Sequence, residues 1–407
     1  MSNIGAIKPA SVAVGQDIIF DALHTMRTHL QMEIAYLSEF VGDKLVFRAL
    51  DAPGLEHIAQ VGGTRDLSET YCNHILAGDL PELMSDTHDI PFAAAMPITK
   101  ALPIRAHVSV PIERSDGSIY GMFCCLSPNP NSSLNQRDLG LMRTFARLAQ
   151  SEVQRTLEVK AEAEATAALI ETALGTRNFE MVYQPIFDLA SGRISGMEAL
   201  CRFKTDPYRA PNLWFDDAAR VGKAELLEIC VIETALAALG DIPPDLYLTL
   251  NASPETVATG RLAPILAQHP ADRLVIEVTE HMQVGDWAAL DRSLRALRDM
   301  GIRVAIDDAG AGYSGLQQMV RLKPEIIKLD RSLVDHIDED RARRSLCAAM
   351  VHYATETGAA LVAEGIERQE EVEVLRDLGV DRGQGYLLAK PMPLRELLET
   401  HHGAQKT

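Results

Sequence analysis

In the C-terminal half of this sequence, one short apolar stretch after another reads as a strand that ends in acidic or amide residues. Glu198 lies in "SGMEALCRF", Asn251 in "LYLTLNAS", Glu277 and Glu280 in "RLVIEVTE", and Asp307 and Asp308 in "RVAIDDAG". Lys328 and Asp330 follow in "EIIKLDRS", Glu364 and Glu367 in "ALVAEGIE", and Gln384 opens "GQGYLLA" after a glycine. One acidic strand end is usually a solvated residue or a helix cap. Its repetition along the chain points to chemistry. Carboxylates brought to one place repel one another and hold their protons, unless a cation sits among them. A set of carboxylates plus an amide oxygen is hard and oxygen-rich, which suits Mg²⁺ or Mn²⁺ better than zinc.

Such residues need elements that bring them together. Between the apolar stretches lie amphipathic segments such as "LLEICVIETALAALG", "WAALDRSLRALRDMG" and "RRSLCAAMVHYATETG". Strands alternating with helices over ~220 residues predict a (β/α)8 barrel, whose strand ends share one rim. An open doubly wound sheet is the alternative, but no glycine-rich phosphate fingerprint follows the first strand. Alternation in "VIEVTE" sets Glu277 on one face with Thr279, and Glu280 on the loop beyond. Asp307 and Asp308 are neighbours, so a regular strand would aim them apart. A chain turning at the strand end is expected to bring both to one site. The glycines at 310, 312 and 315 suit a mobile lid.

Upstream, "RDLGLMRTFARLAQSEVQRTLEVKAEAEATAALIETAL" has no proline and one glycine, which predicts a long helix. Its seam runs through Leu139, Met142, Ala146, Ala149, Val153, Thr156, Lys160, Ala163, Ala167, Ile170 and Leu174. Either a coiled coil with a partner helix or a connector lying on its own domains accounts for it. Before it, hairpins are expected at Gly42-Asp43 and Asp116-Gly117. Three parts result: a small α/β domain over 1–155, a linker helix over 156–175 and the barrel over 176–407.

The formal net charge of −18 disfavours general nucleic-acid binding. No apolar run reaches the ~20 residues of a membrane helix. The N-terminus lacks the pattern of a signal peptide, so a cytoplasmic protein off the membrane is expected. The six cysteines lack paired zinc-ligand spacing and are expected as free thiols. Cys124-Cys125 reads as structural filler in an apolar strand.

These motifs carry a resemblance. Glu198-Ala199-Leu200, then "LTLNAS", "VIEVTE", "AIDDAGAGYSGL", "IIKLDRS", "LVAEGIE" and "GQGYLLAKPMP", in that order, resemble EAL-domain cyclic di-GMP phosphodiesterases. The resemblance implies a modified TIM barrel and metal-dependent hydrolysis of cyclic di-GMP to linear pGpG, with two Mg²⁺ or Mn²⁺ ions per site. Glu198, Asn251, Glu277 and Asp307 match metal-ligand positions, and Asp308 and Glu364 match those completing a two-metal site. Lys328 matches the lysine near the attacking water; with Glu364 and Glu367 it is expected among the catalytic residues. Gln184, Leu200, Arg202, Asp330 and Gln384 are expected to contact substrate, and Glu280 to steady the loop after Asp308. Ala309 and Ala311 stand where the family commonly has Phe and Thr, which bears on loop stability rather than on ligands.

Residues up to about 155 are similar to GAF sensor domains, implying an unidentified small-molecule signal and a homodimer. Cys72 with His74 invites a bilin or metal reading, although a buried thiol beside a surface histidine is the plainer one. Two rivals to the enzyme remain: a barrel that senses cyclic di-GMP without cleaving it, and a dimeric scaffold driven through the linker helix.

Overall fold

The computed structural model describes residues 10–55, 58–278, 285–309 and 315–404. The chain divides into two compact units, Met1–Glu162 and Ala163–Thr407.

The first unit is built on six strands: β1 (Ile34–Val41), β2 (Lys44–Asp51), β3 (Thr64–Asp66), β4 (Leu83–Met84), β5 (Ala106–Glu113) and β6 (Ile119–Ser127). They form an antiparallel sheet in the order β3-β2-β1-β6-β5-β4. The predicted hairpins turn at Gly42 and Gly117, both with positive φ, a conformation glycine adopts without steric cost. Apolar residues from both faces of the sheet's central strands enter cores, while β3 is exposed. Cys125 faces a core shared with the helix Ala10–His29 and the start of the helix Gln136–Thr176. Cys124 faces the opposite core, beside Tyr36, Tyr71 and Cys72. Both cysteines are wholly buried and free.

Residues Gln136–Thr176 form one 41-residue helix. The chain itself uses much of the expected seam. Leu139, Met142, Ala146, Ala149 and Val153 are buried in the first unit's core, and Ile170 is buried in the second unit's. Thr156 and Lys160 are exposed. The first half of the seam is therefore a domain face, not a coiled-coil surface.

The second unit is a closed barrel of eight strands: β7 (Phe179–Asp188), β8 (Ile194–Phe203), β9 (Tyr247–Ala252), β10 (Leu274–Val278), β11 (Arg303–Ala309), β12 (Ile326–Leu329), β13 (Ala360–Ala363) and β14 (Arg382–Gly383). Two details depart from a regular (β/α)8 barrel. β7 runs antiparallel to both neighbours, β8 and β14, because β7 and β8 are joined by a hairpin turn rather than a helical crossover. The eighth strand is only the dipeptide Arg382–Gly383, and Gln384 follows it.

Alternation sorts each strand into two faces. Outward residues such as Leu248, Ile276, Ile306 and Leu361 pack under the surrounding helices. Inward residues form a floor of Ile186, Tyr247, Val275, Ala305, Ile326 and Val362. The Tyr247 ring requires Gly196, where a Cβ would lie 2.6 Å from the ring atoms. Guanidinium groups of Arg303 and Arg382 lie 4.7 and 5.2 Å from the ring centroid.

Candidate active site

Two residues along each strand from that apolar floor, the inward positions become polar: Gln184 on β7, Glu198 on β8, Glu277 on β10, Asp307 on β11 and Lys328 on β12. Glu364 and Gln384 continue the same alternation one residue past β13 and β14, and Asn251 shares the inward face of β9. Period-2 geometry thus gathers residues far apart in sequence into one layer.

Lys328 stands at its centre and is 2% exposed. Its Nζ donates to Glu277 Oε2 at 2.9 Å and to Glu198 Oε2 at 3.3 Å. It also pairs with Asp307 Oδ1 at 3.2 Å and Glu364 Oε1 at 2.6 Å. Asn251 Nδ2 donates to Glu198 Oε1 at 2.9 Å. Gln384 Nε2 donates to Glu198 Oε2 at 2.8 Å and Glu364 Oε1 at 3.0 Å. Glu198 is therefore held from three sides. It lies in the middle of β8, not at its end.

Four carboxylates against one ammonium leave surplus negative charge in a buried place. Burial raises the Glu277 carboxyl well above the usual range, although Lys328 opposes the shift. Burial, with Lys328 opposing it, pushes Glu364 up to about 8. Glu198 goes the other way: burial favours its acid form, but Lys328, Gln384 and Asn251 together hold it low. For Lys328, burial is outweighed by the carboxylates around it, which hold its proton firmly. The set is short of positive charge, and its donors are all oxygens. A hard divalent cation fits that chemistry. Among the described residues no three acidic, His or Cys side chains stand grouped as ready-made metal ligands; Lys328 Nζ occupies the point on which the carboxylates converge.

Asp308 lies in β11, and its side chain is outside the described residues, as are Glu280 and the residues 310–314. The backbone nevertheless shows how two adjacent aspartates fit here. Ile306 pairs with Ile327 and Ala309 with Leu329, so Asp307 and Asp308 together oppose Lys328. This is a β-bulge, and it breaks strict alternation within the strand. Ala309 closes the bulge and is wholly buried in the barrel's outer core.

Other expected residues make no hydrogen bond or ion pair with Lys328 and have neighbours of their own. Glu367 pairs with Arg331 at 2.9 Å and is largely exposed. Asp330 accepts from the Ser332 N–H at 2.9 Å as the cap of the helix Arg331–Val334. Gln184, beside Glu198 in the strand register, donates to the Ala389 carbonyl at 3.2 Å. Leu200 and Arg202 line a cavity of about 320 Å³ with Asn251, Phe215 and Glu228. Arg202 donates to the Cys201 carbonyl at 2.9 Å, leaving most of its fork available for an anion.

Two carboxylates escaped the sequence reading. Glu228 is half-buried and accepts from the Ser253 N–H at 2.9 Å and its hydroxyl at 3.0 Å, fixing the chain just after Asn251. Glu371 is 1% exposed and accepts from the backbone N–H groups of His336, Glu367 and Arg368 at 3.0, 2.9 and 3.1 Å. It ties down the turn that follows Glu364. A glutamate in the first turn of a helix was the available signal.

The EAL domain family model matches residues 167–391, more than half of the chain. The chain belongs to the EAL-domain family. A GAF domain model matches residues 15–153. The EAL part is 32% identical over 246 residues to a cyclic di-GMP phosphodiesterase of Pseudomonas aeruginosa, covering 56% of this chain and 41% of that one. It resembles the solved EAL domain protein of Listeria monocytogenes, with a TM-score of 0.52 at 29% identity, over 57% of this chain and 95% of that one. It is also similar to the PaMucR phosphodiesterase solved with c-di-GMP, with a TM-score of 0.51 at 28% identity, over 57% and 99% of the two chains. The chain spans less than half the length of the curated relatives it matches.

Proposed function

We propose that this chain hydrolyses cyclic di-GMP to linear pGpG with the help of divalent cations, Mg²⁺ or Mn²⁺, two per site. The observation that carries the reading is the convergence of Glu198, Glu277, Asp307 and Glu364 on Lys328 Nζ, each within 3.3 Å. Glu198, Asn251, Glu277 and Asp307, with Asp308 and Glu364, would hold the cations. When bound, the cations supply Lewis acidity toward the phosphodiester and make water a nucleophile near neutral pH.

The chain's own residues position and neutralise. Lys328 offsets charge on the phosphate and orients the water. Asn251 and Gln384 keep Glu198 in one rotamer. Arg202, which lines the 320 Å³ cavity, pairs with a phosphate, and the cavity's apolar wall takes a base. Water adds at phosphorus, one ester bond to a ribose 3′-oxygen breaks, and that oxygen takes up a proton.

The first unit is read as a sensor that regulates the barrel, and the chain as a homodimer. Among the described residues no helix is long and apolar enough to cross a membrane. The deciding experiment incubates the chain with cyclic di-GMP and either cation and looks for pGpG. Tight binding without product would overturn the enzyme reading in favour of a non-cleaving cyclic di-GMP sensor. A mass measurement tests the homodimer.

A further inference from the structure

Two cysteines of the first unit touch. Cys72 Sγ lies 3.8 Å from Cys124 Sγ, within reach of a sulfur hydrogen bond. The Tyr36 hydroxyl meets the same Cys72 sulfur at 3.8 Å. Among the described residues no other two cysteines share a hydrogen bond. Cys125 is the chain neighbour of Cys124 but faces the other side of the sheet, so it does not compete for Cys72. The pair joins two elements. Cys124 is on β6, and Cys72 is on the inner side of the seven-residue helix Tyr71–Ala77. Cys72 is 1% exposed, but its cover is slight. The helix buries only Tyr71, Cys72 and Ile75, and it ends at Gly78 in the left-handed conformation. Short surface elements open locally at far lower cost than the whole domain, and opening this one helix uncovers the sulfur.

The thiolate, not the thiol, attacks an oxidant. Hydrogen bonding from Cys124, with help from Tyr36, outweighs burial and brings the Cys72 thiol below its ordinary range. Burial pushes the thiols of Cys124, Cys125, Cys201, Cys230 and Cys347 the other way. Cys72 is thus the nucleophile, and the sulfur beside it is the one placed to resolve it. From the sulfur contact 3.8 Å long, we infer that Cys72 and Cys124 are an oxidisable pair, which a hydroperoxide converts to a disulfide tying the helix Tyr71–Ala77 to β6. The Cys72 thiolate attacks one peroxide oxygen and the O–O bond breaks. The departing oxygen takes up the proton that the thiol released and leaves as water or an alcohol. Cys72 is then a sulfenic acid. The Cys124 sulfur attacks it, the S–O bond breaks, and the hydroxyl leaves as water with the Cys124 proton. Each sulfur gives one electron, and the peroxide takes both. The sulfurs need approach by only about 1.8 Å to reach the ~2.05 Å of a bond. The inference stands apart from the proposed hydrolysis, since its test reads thiols alone.

Hydrogen peroxide is the probe, added to the reduced full chain. The remaining thiols are then alkylated under denaturing conditions, and the peptides are mapped by mass spectrometry without reductant. A peptide pair linked through Cys72 and Cys124 should accumulate, and dithiothreitol should abolish it. Cys125 and Cys347 should stay open to alkylation throughout. In Cys124→Ala no linked pair should form, and dimedone should trap a sulfenic acid on Cys72. In Cys72→Ala oxidation of Cys124 should slow by about tenfold or more. Cys125→Ala should form the linked pair as wild type does. The wild-type map decides the matter even where a variant fails to fold. The proposal is overturned if Cys72 and Cys124 both remain alkylatable after the half-buried Cys230 has been oxidised, or if Cys72 is found linked to Cys125 instead.

Discussion

Lys328 Nζ lies 2.6 Å from Glu364 Oε1, the shortest of the four carboxylate contacts that surround it. Glu364 is one residue beyond β13, so this contact joins a rim segment to the floor-anchored strand β12. A buried ion cluster that loses its cation leaves uncompensated charge, at a cost of about 3–5 kcal/mol. Lys328→Met should therefore lower the melting temperature of the cation-free chain by roughly 6–15 °C. Adding Mn²⁺ should recover part of that loss, because the carboxylates then have another counter-charge. Calorimetric melting with and without Mn²⁺ checks both parts, and a loss that Mn²⁺ leaves untouched would sever the cluster from cation binding.

Glu277 is wholly buried and faces only the cluster. Glu277→Gln keeps its shape and removes its charge. Hydrolysis of cyclic di-GMP should fall by about 100-fold or more, since stabilisation of charge is the largest contribution in such chemistry. Mn²⁺ affinity, measured by calorimetry, should fall with it. A variant that binds Mn²⁺ as before would remove Glu277 from the ligand set.

Glu371 collects three backbone N–H groups on one buried carboxylate. Glu371→Ala leaves those donors unpaired, at about 1–3 kcal/mol each before relaxation or water entry. Stability should drop by several kcal/mol, measured by urea unfolding. Glu371→Gln, which keeps an acceptor, should lose less than half as much. Equal losses would mean that packing, not the hydrogen bonds, holds this turn.

His107 gives a pH dependence whose sign is set by burial. Its folded-state pKa lies near 4, below the ordinary histidine value of about 6.5. Between those two values the unfolded chain takes up a proton that the native chain refuses. The native state is therefore unpenalised above pH ~6.5 and loses up to about 3 kcal/mol as pH falls toward 4. Calorimetric melting from pH 7.5 to 5 should show a steeper decline for wild type than for His107→Phe. Parallel declines would mean that His107 is protonated in the native state.

Gly196 and Tyr247 share space inside the barrel floor. Gly196→Ala puts a methyl group 2.6 Å from the ring, and overpacking of this kind costs about 1–3 kcal/mol. Combining it with Tyr247→Leu should recover part of the loss, so the double variant should be more stable than additivity allows. Strict additivity in chemical denaturation would show that the two do not compete for volume.

Much of the barrel was legible because its strands are short apolar runs set between amphipathic helices. Glu277 and Lys328 announce themselves as lone charges in such strands, and Asp307 as half of an acidic pair; the structure gathers all three. The reversed direction of β7 was not legible. A five-residue loop with a glycine, Leu189 to Arg193, reads the same whether it ends in a hairpin or begins a crossover. Glu367 and Asp330 were placed at the site as polar strand ends and by the family resemblance. In the structure Glu367 pairs with Arg331, and Asp330 caps a helix. The bulge at Asp307 and Asp308 was beyond reach as well, since it exists only in the count against β12. On the long helix, the apolar seam looked like a partner surface because periodicity does not say whose side chains fill it.

The Tyr247 ring has one more consequence. With Ile186, Val275, Ala305, Ile326 and Val362 it seals the barrel beneath the carboxylates. The site is a cul-de-sac: whatever enters by the rim must leave by the rim. Under the proposed reaction, pGpG and fresh cyclic di-GMP cannot pass each other, and departure must precede arrival. Accumulating pGpG should accordingly act as a competitive inhibitor and slow turnover late in the reaction.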